Sequence, residues 1–269
     1  MILGSTGLVA ILGSPIAQVK SPENFNRWFQ ANALDLAMLP IDMTAEALPA
    51  FIATLRGWNN LRGCVVTVPY KQSVVPLLDE LSPRAKALNS ANVIRREADG
   101  RLIGDNVDGE GFLKAGRAHG FDPKGKRGLV LGSGGVGAAI AYSLAQAGVA
   151  RLTLSDPRPG QAEALGEMLR EQFPAIEVKH GFGDLSEFDL LVNASPIGMG
   201  DTGETPLPHA QLMTLSRSAH VADVVTKPAH TPLLAIAKQL GCSFQEGPEM
   251  ARAQMGDLGY FMGVMPLDV

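Results

Sequence analysis

The sequence predicts an α/β protein, and two observations indicate that class. Apolar runs of strand length alternate with helical spacings of apolar residues along nearly all of the 269 residues. In the middle of the chain, an apolar run meets the glycine-rich segment 132–137, and an apolar helical pattern follows at once. Strand, glycine-rich turn and helix in this order open a βαβ unit of the kind that binds dinucleotides. A Rossmann-type domain is therefore predicted in the second half, with another α/β domain before it.

The elements of the first half follow from local patterns. Ser21-Pro22 reads as an N-cap followed by a proline at the first helical position, and apolar side chains at helical spacing continue after Ala45. Asp99-Gly100 is a turn signal between two short apolar runs and predicts a hairpin. The predicted elements are strands at 8–12, 37–41 and 63–68, helices from 21 and at 45–56, and a hairpin of 91–96 with 101–103.

The second half begins near residue 126 and continues the alternation. Its glycine-rich turn joins a strand at 129–131 to a helix, and a second strand ends at Asp156. Helical spacing at 162, 165, 168 and 169 predicts the next helix. The later predictions are strands at 176–178, 190–193, 221–225 and 242–244, with helices at 232–240 and 249–261.

Composition limits the classes of function. Hydrophobic residues make up 46% and charged residues 19% of the chain, as in packed globular proteins. The net charge of −4 gives no electrostatic argument for binding nucleic acid or an anionic membrane. Cys64 and Cys242 have no metal-ligand spacing and the five histidines are scattered, so we expect no metal site. The apolar N-terminus lacks a basic start and no run is long enough to span a membrane, so we expect a cytoplasmic protein.

The glycine-rich turn also predicts the cofactor. Gly132 permits the tight turn, Gly134 lets the backbone approach a pyrophosphate, and Gly137 lets the helix pack close to the strand. Asp156 lies about 20 residues further on, where a carboxylate accepts the ribose hydroxyls and repels a 2′-phosphate. The sequence therefore predicts NAD. Arg158 offers a positive charge nearby, which keeps NADP as the less favoured alternative.

Two segments of the first half carry reactive side chains. The strand at 63–68 runs through a proline turn to Lys71, and a glycine-flanked loop contains Asp105 and Asp108. A dehydrogenase acting on a secondary alcohol needs a proton acceptor, and a lysine beside a carboxylate can serve. Taken alone, Lys71 could equally be a solvated surface residue, and Asp105 or Asp108 could equally be a residue that forms a turn.

Taken in order, these segments resemble the shikimate dehydrogenase family. The matching segments are Ser14-Pro15-Ile16-Ala17 with Lys20-Ser21-Pro22, Val66-Thr67-Val68-Pro69-Tyr70-Lys71, Ala91-Asn92-Val93, Gly104-Asp105-Asn106-Val107-Asp108-Gly109, Asn193-Ala194-Ser195-Pro196-Ile197-Gly198-Met199, 223–228 with Thr231-Pro232-Leu233-Leu234, and 247–254. The resemblance implies an N-terminal substrate domain, residues 1–108 with about 246–269, and a Rossmann-type domain, residues 109–245. It also implies a final helix that returns to the substrate domain.

The resemblance further implies oxidation of a ring hydroxyl on shikimate or a related cyclic polyol acid, with Lys71 and Asp108 as the catalytic pair. The residues that it implies for substrate binding are Ser21, Thr67, Asn92 and Gln254, with Val19 and Thr226 at positions that face the substrate in the family. The residues that it implies for cofactor binding are Gly132, Ser133, Gly134, Gly135, Val136, Asp156, Arg158, Ala194, Ser195, Val224 and Gly247. The expected partner is a small molecule, and the sequence is compatible with a homodimer.

Three positions depart from the family pattern. Val19 replaces a serine, Val65 an asparagine and Thr226 a tyrosine, and the serine and tyrosine help to hold the substrate carboxylate in the family. We therefore expect weaker shikimate binding, or the same chemistry on quinate or an amino analogue. A module that senses NAD and a cyclic acid without turnover is a third hypothesis, and the presence of both Lys71 and Asp108 argues against it.

Overall fold

The computed structural model describes residues 2–200 and 202–267. The chain forms two compact units. The first contains residues up to Val107 and those from Met255 onward, and the second contains Asp108–Gln254. Each unit is built on a six-stranded sheet with helices, so the predicted α/β class is confirmed.

The first unit carries a mixed sheet in the order β2-β1-β3-β5-β6-β4. Its elements are β1 (Gly7–Gly13), α1 (Ser21–Ala31), β2 (Leu36–Asp42), α2 (Leu48–Leu55), β3 (Leu61–Val66), β4 (Glu80–Leu81), α3 (Pro83–Leu88), β5 (Val93–Arg96), β6 (Leu102–Asp105) and α10 (Met255–Phe261). Strand β1 runs parallel to β2 and β3, whereas β5 is antiparallel to β3 and to β6. The predicted hairpin is therefore confirmed.

Strand β1 is buried on both faces, which explains its continuous apolar run. Val9 and Ile11 lie in one hydrophobic cluster with side chains from α1 and α10. Ala10 and Leu12 lie in a second cluster with side chains from α2. Helices therefore cover both faces of this sheet, as the alternating strands and helices of the sequence require.

The second unit contains an all-parallel sheet in the order β12-β11-β10-β7-β8-β9. Its elements are α4 (Asp108–Ala118), β7 (Arg127–Leu131), α5 (Gly135–Gln146), β8 (Arg151–Ser155), α6 (Gln161–Gln172), β9 (Glu177–His180), β10 (Leu190–Asn193), α7 (His209–Leu212), β11 (His220–Asp223), α8 (Pro232–Leu240), β12 (Ser243–Gln245) and α9 (Gly247–Ala253). This order is that of a doubly wound Rossmann sheet, in which ligands bind where the strand order reverses. Here that point lies between β7 and β10.

The structure differs from the predictions at several boundaries. The helix begins at Ser21, and Lys20 before it already has helical backbone angles, so the N-cap role predicted for Ser21 is wrong. A short 3-10 helix occupies Ala45–Ala47 before α2, and β4, α3 and α7 carried no periodic signal long enough to predict them. The predicted final helix is divided at Gln254 into α9 and α10.

The units meet in sequence at 107/108 and 254/255, where the predicted domain limits were 108/109 and about 246. Helix α9 belongs to the second unit because it packs on α4. Within the described residues, no helix is both long enough and apolar enough to cross a lipid bilayer.

Candidate active site

The glycine-rich turn lies at the carboxyl end of β7. Gly132 has a φ of +101°, which favours glycine, and its N–H donates to the carbonyl of Ser155 over 2.7 Å. A Cβ on Gly137 would lie 1.9 Å from the Gly132 carbonyl oxygen, so only glycine lets α5 start this close to the strand. The roles predicted for these two glycines agree with that geometry. Ser133 has a buried Oγ without a hydrogen-bond partner among the described residues.

A dinucleotide fits this turn. Helix α5 begins at Gly135 with Gly134 as its N-cap, and no side chain caps its free N–H groups. Val136 is the second helical residue, and a Cβ on Gly135 would meet no atom within 4 Å, so the helix end is open to a ligand. Backbone donors at a helix N-terminus attract phosphate groups. The unpartnered Ser133 hydroxyl adds a donor that a phosphate oxygen would satisfy.

Asp156 lies just after β8, and its carboxylate is already engaged. Its Oδ2 accepts from the Ser133 N–H over 2.7 Å, and its Oδ1 accepts from the Arg158 N–H over 2.9 Å. The Arg158 guanidinium also donates to both oxygens, Nε to Oδ1 and Nη2 to Oδ2, each over 2.9 Å. The Arg158 hydrogen bond is the largest of the effects that hold the pKa of Asp156 well below its usual value. The Asp156 side chain is 2% exposed, whereas that of Arg158 is 59% exposed.

A buried polar network shapes the loops after β10 and β11. Asn193 donates to Asp223 over 3.1 Å and to the Ile197 carbonyl over 2.9 Å, and its Oδ1 accepts from the Ser195 hydroxyl. Asp223 also accepts from the Thr231 hydroxyl over 2.7 Å. Burial raises the pKa of Asp223, and these hydrogen bonds oppose that rise. The network fixes the loop of Ala194 and Ser195. This loop adjoins Gly132, because a Cβ on Gly132 would lie 2.8 Å from the Ala194 carbonyl oxygen.

The predicted site residues do not include Asn193, Asp223 and Thr231. All three lie inside the segments that resemble the family. For Asn193 and Asp223, the signal is a polar residue at the carboxyl end of a buried parallel strand. Asn193 ends β10 and Asp223 ends β11. Such positions line the ligand crevice of a doubly wound sheet.

Helix α9 connects the cofactor loops to α4. A Cβ on Gly247 would lie 2.6 Å from the carbonyl oxygen of Val224, so α9 starts directly against the strand end. At the other end of α9, a Cβ on Gly111 would lie 2.6 Å from the Cβ of Gln254. Gly111 lies one turn after Asp108, which is 3% exposed and opens α4. The structure thus brings Gln254 to the turn of α4 that carries Asp108.

In the first unit, the turn after β3 lies beside the start of β5. The Lys71 carbonyl accepts from the Ala91 N–H over 2.8 Å, and the Val66 N–H donates to the Asn92 carbonyl over 2.7 Å. The side-chain Oδ1 of Asn92 accepts from the Val107 N–H over 2.9 Å, which orients this buried amide. The backbone segments that carry Thr67, Lys71 and Asn92 therefore lie next to one another. Their side chains end in a hydroxyl, an amino group and an amide.

Asp105, the first aspartate of the 104–109 loop, is bound by Arg84. Asp105 is 5% exposed, and Arg84 binds both of its carboxylate oxygens over 2.7 and 2.6 Å. The Ser82 hydroxyl donates to the same carboxylate. Both carboxylate oxygens of Asp105 are therefore engaged by groups of the fold itself.

The positions that depart from the family pattern differ in setting. Val65 is 5% exposed and belongs to the hydrophobic cluster that contains side chains of α1. Val19 packs against the same cluster. Ser21 is half-buried at the start of α1, and Thr226 is exposed in the segment after β11. Among the described residues, no group of three His, Cys, Asp or Glu side chains is placed to hold a metal ion.

Comparison with known proteins gives consistent matches. The model for the shikimate dehydrogenase substrate binding domain matches residues 11–94. A shikimate dehydrogenase (NADP(+)) of Geobacter metallireducens is 35% identical over 94% of this chain and 90% of its own length. A structure of shikimate 5-dehydrogenase from Listeria monocytogenes, in complex with shikimate and NAD, has a TM-score of 0.91 at 29% identity and covers 99% of this chain and 95% of its own. A ligand-free 5-ketofructose reductase of Gluconobacter sp. strain CHM43 has a TM-score of 0.89 at 28% identity, over 98% of this chain and 95% of its own.

These relatives correct the predicted cofactor. The curated relatives that the chain matches, including the one from Geobacter metallireducens, are named as NADP(+) enzymes, so the predicted preference for NAD over NADP is wrong. The physical reason lies at Asp156, whose oxygens are taken by Ser133 and Arg158 rather than free for ribose hydroxyls. The exposed Arg158 guanidinium offers the positive charge that a 2′-phosphate needs.

The predicted resemblance is thus confirmed over almost the whole chain, both by sequence identity above 30% and by the Rossmann-type second unit. The chain belongs to the shikimate dehydrogenase family and is an oxidoreductase of that type.

Proposed function

We propose that this protein is an NADP-dependent dehydrogenase that oxidises the ring hydroxyl of shikimate, and reduces 3-dehydroshikimate in the reverse direction. The observation that carries the proposal is the grouping of Thr67, Lys71 and Asn92 at the carboxyl end of β3. This grouping lies within the segment that matches the substrate binding domain. A hydroxyl, an amide and an amino group provide the donors and acceptors that a polyhydroxylated acid requires.

We assign the proton transfer to Lys71. Oxidation of a secondary alcohol removes the hydroxyl proton and a hydride from the same carbon, and a positioned base speeds the proton step by about 10²–10⁴-fold. Lys71 accepts the hydroxyl proton, and Asp108 holds that hydroxyl. NADP, when bound, supplies the hydride acceptor. Ser21, Thr67, Asn92 and Gln254 bind the substrate ring, as the family resemblance implies.

The cofactor is held by the second unit. Backbone N–H groups of Gly134, Gly135 and Val136 meet the pyrophosphate, since the helix end carries no side-chain cap. Arg158 binds the 2′-phosphate from its exposed position. Ala194 and Ser195 contribute to the cofactor site from the loop beside Gly132, where the strand order reverses. Val224 and Gly247 contribute from the close contact between the end of β11 and the start of α9.

A coupled spectroscopic screen tests the proposal. Purified protein is assayed for reduced-cofactor absorbance with shikimate and quinate, each with NADP and with NAD. The proposal requires kcat/KM to be highest for NADP with one of these acids, and requires Lys71→Ala to lower that rate by about 10²–10⁴-fold. Cofactor and acid binding without turnover in the parent protein would instead support the sensing hypothesis.

A neutral polyol or keto-sugar is the second candidate substrate. Val19 and Val65 give the first unit an apolar cluster where the family carries polar groups, and one similar structure is a 5-ketofructose reductase. Valines at these positions offer a carboxylate no hydrogen-bond donor, and a buried anion without partners is costly. Adding 5-ketofructose with NADPH to the screen separates the two candidates, because only one of them requires a carboxylate.

A further inference from the structure

The Asp156 carboxylate has no acceptor capacity left. An ionised carboxylate offers about four lone-pair sites, two on each oxygen. Oδ1 accepts from the backbone N–H and Nε of Arg158, and Oδ2 accepts from the Ser133 N–H and Nη2 of Arg158. All four distances lie between 2.7 and 2.9 Å. A ribose hydroxyl could bind here only by displacing one of these donors.

The Arg158 guanidinium has donors to spare. It carries five N–H groups and uses two of them on Asp156, which leaves three. Its side chain is 59% exposed, and its Nη2 lies 3.7 Å from the position that a Cβ on Gly134 would take. The guanidinium is therefore held beside the phosphate-binding turn, with open donors, by a carboxylate that is itself buried.

We propose that Asp156 is a positioning residue, which fixes Arg158 beside the glycine-rich turn so that the pair selects a nucleotide carrying a 2′-phosphate. This inference rests on the proposed NADP dependence. An aspartate at the end of the second Rossmann strand ordinarily binds the ribose diol and repels a 2′-phosphate, so that its removal favours NADP. Here the bidentate pair reverses the sign. Removing Asp156 frees a long, flexible side chain, and the lost rotamer order weakens binding of the 2′-phosphate.

The test compares binding of 2′,5′-ADP with binding of 5′-ADP, two fragments that differ only in the 2′-phosphate, by titration calorimetry. For the parent protein we expect tighter binding of 2′,5′-ADP. Arg158→Ala removes charge-assisted hydrogen bonds and should weaken 2′,5′-ADP about tenfold to a hundredfold. Asp156→Ala should weaken it about three- to tenfold, Asp156→Asn by less, and all three should leave 5′-ADP within about twofold.

The ratio of the two affinities separates positioning from a general structural effect. Loss of the Ser133 contact alone would weaken both fragments equally, whereas loss of Arg158 placement weakens only 2′,5′-ADP. Asp184→Ala is the matched control, because Asp184 accepts from the N–H two residues later just as Asp156 does, but pairs with a serine. This variant should leave the ratio unchanged. In the double variant Asp156→Ala with Arg158→Ala, the effect of Asp156→Ala should vanish.

Three outcomes overturn the inference. If the Asp156→Ala variant binds 2′,5′-ADP as tightly as the parent protein, or more tightly, Asp156 has the ordinary role of an aspartate that repels the 2′-phosphate. If Asp156→Ala still weakens 2′,5′-ADP binding in the Arg158→Ala background, Asp156 does not act through the guanidinium. A parent protein that binds 5′-ADP more tightly than 2′,5′-ADP removes the proposed NADP dependence as well, whereas the first two outcomes leave that dependence intact.

Discussion

A single methyl group on Gly111 should disturb the substrate end of α9 without touching the cofactor turn. A Cβ at this position would lie 2.6 Å from the Cβ of Gln254 and 2.8 Å from the carbonyl oxygen of Met250. Carbon atoms reach favourable contact at about 3.5–4.0 Å, so the end of α9 must recede by about 1 Å in Gly111→Ala. Gln254 and the α4 turn that begins at Asp108 would separate by that amount.

The size of the effect differs between activity and stability. A misplacement of about 1 Å in a positioning group can cost about 10²-fold in rate, so we expect kcat/KM for shikimate to fall roughly tenfold to a hundredfold, mainly through KM. Overpacking costs about 1–3 kcal/mol, while replacing a helical glycine by alanine returns about 1 kcal/mol. The net loss of folding free energy is therefore only about 0–2 kcal/mol, and the variant should fold.

Steady-state kinetics and thermal unfolding measure the two effects separately. Gly116→Ala is the matched control on the same helix, because the nearest atom to its Cβ would be the Gln245 Oε1 at 3.0 Å, a side-chain atom outside α9. It should gain the same helix propensity and keep the parent KM. If Gly111→Ala also keeps the parent KM and kcat, the contact with Gln254 does not position the substrate and the reasoning fails.

Three further predictions address the base, the substrate and the pH dependence. Lys71→Ala should lower kcat about 10²–10⁴-fold with little change in KM; near-normal turnover would exclude it as the base. Val19→Ser with Thr226→Tyr should lower KM for shikimate roughly tenfold, because each restored hydrogen bond to a charged group contributes about 1.5–3 kcal/mol and the two need not add; unchanged KM would mean that other groups hold the carboxylate. Burial lowers the pKa of His220 to about 4, so the unfolded chain takes up its proton first as the pH falls. Unfolding free energy should then be at its full value above about pH 6.5 and fall by about 3 kcal/mol towards pH 4, a slope that His220→Gln should flatten in urea titrations.

The sequence predicts the buried parallel strands well because their signal is local and strong. The apolar runs of β1, β7 and β10 and the glycine spacing after β7 each fall within a short window. Short elements without such a window escape prediction, as do β4 and α3. A Ser-Pro pair also leaves the start of a helix ambiguous. The side chain of Ser82 accepts from the Ala85 N–H and caps α3, whereas Ser21 is already helical.

Local sequence patterns do not predict the hydrogen-bond partners within the candidate site. The sequence places two aspartates in one glycine-flanked loop but does not show the partners of either one. Arg84 lies about 20 residues from Asp105 in sequence, and only the fold brings it to that carboxylate. The sequence predicts Asp156 beside the cofactor turn from its distance to the glycine-rich segment. That distance says nothing about the hydrogen bonds that the Asp156 carboxylate already accepts. Acceptor capacity is set by three-dimensional partners, and it decides whether a carboxylate can receive a ribose hydroxyl.

The break at Gln254 connects the chain path to the proposed chemistry. The pattern of 249–261 reads as one helix because the interruption lasts a single residue, yet the second unit ends there. The unit begins at Asp108, so the residue proposed to hold the reacting hydroxyl and the residue proposed to hold the substrate stand at its two chain ends. The close approach at Gly111 fixes these ends against each other. A substitution at Gly111 therefore acts on both residues together, whereas one at Arg158 acts on cofactor choice alone, and the two should add when combined.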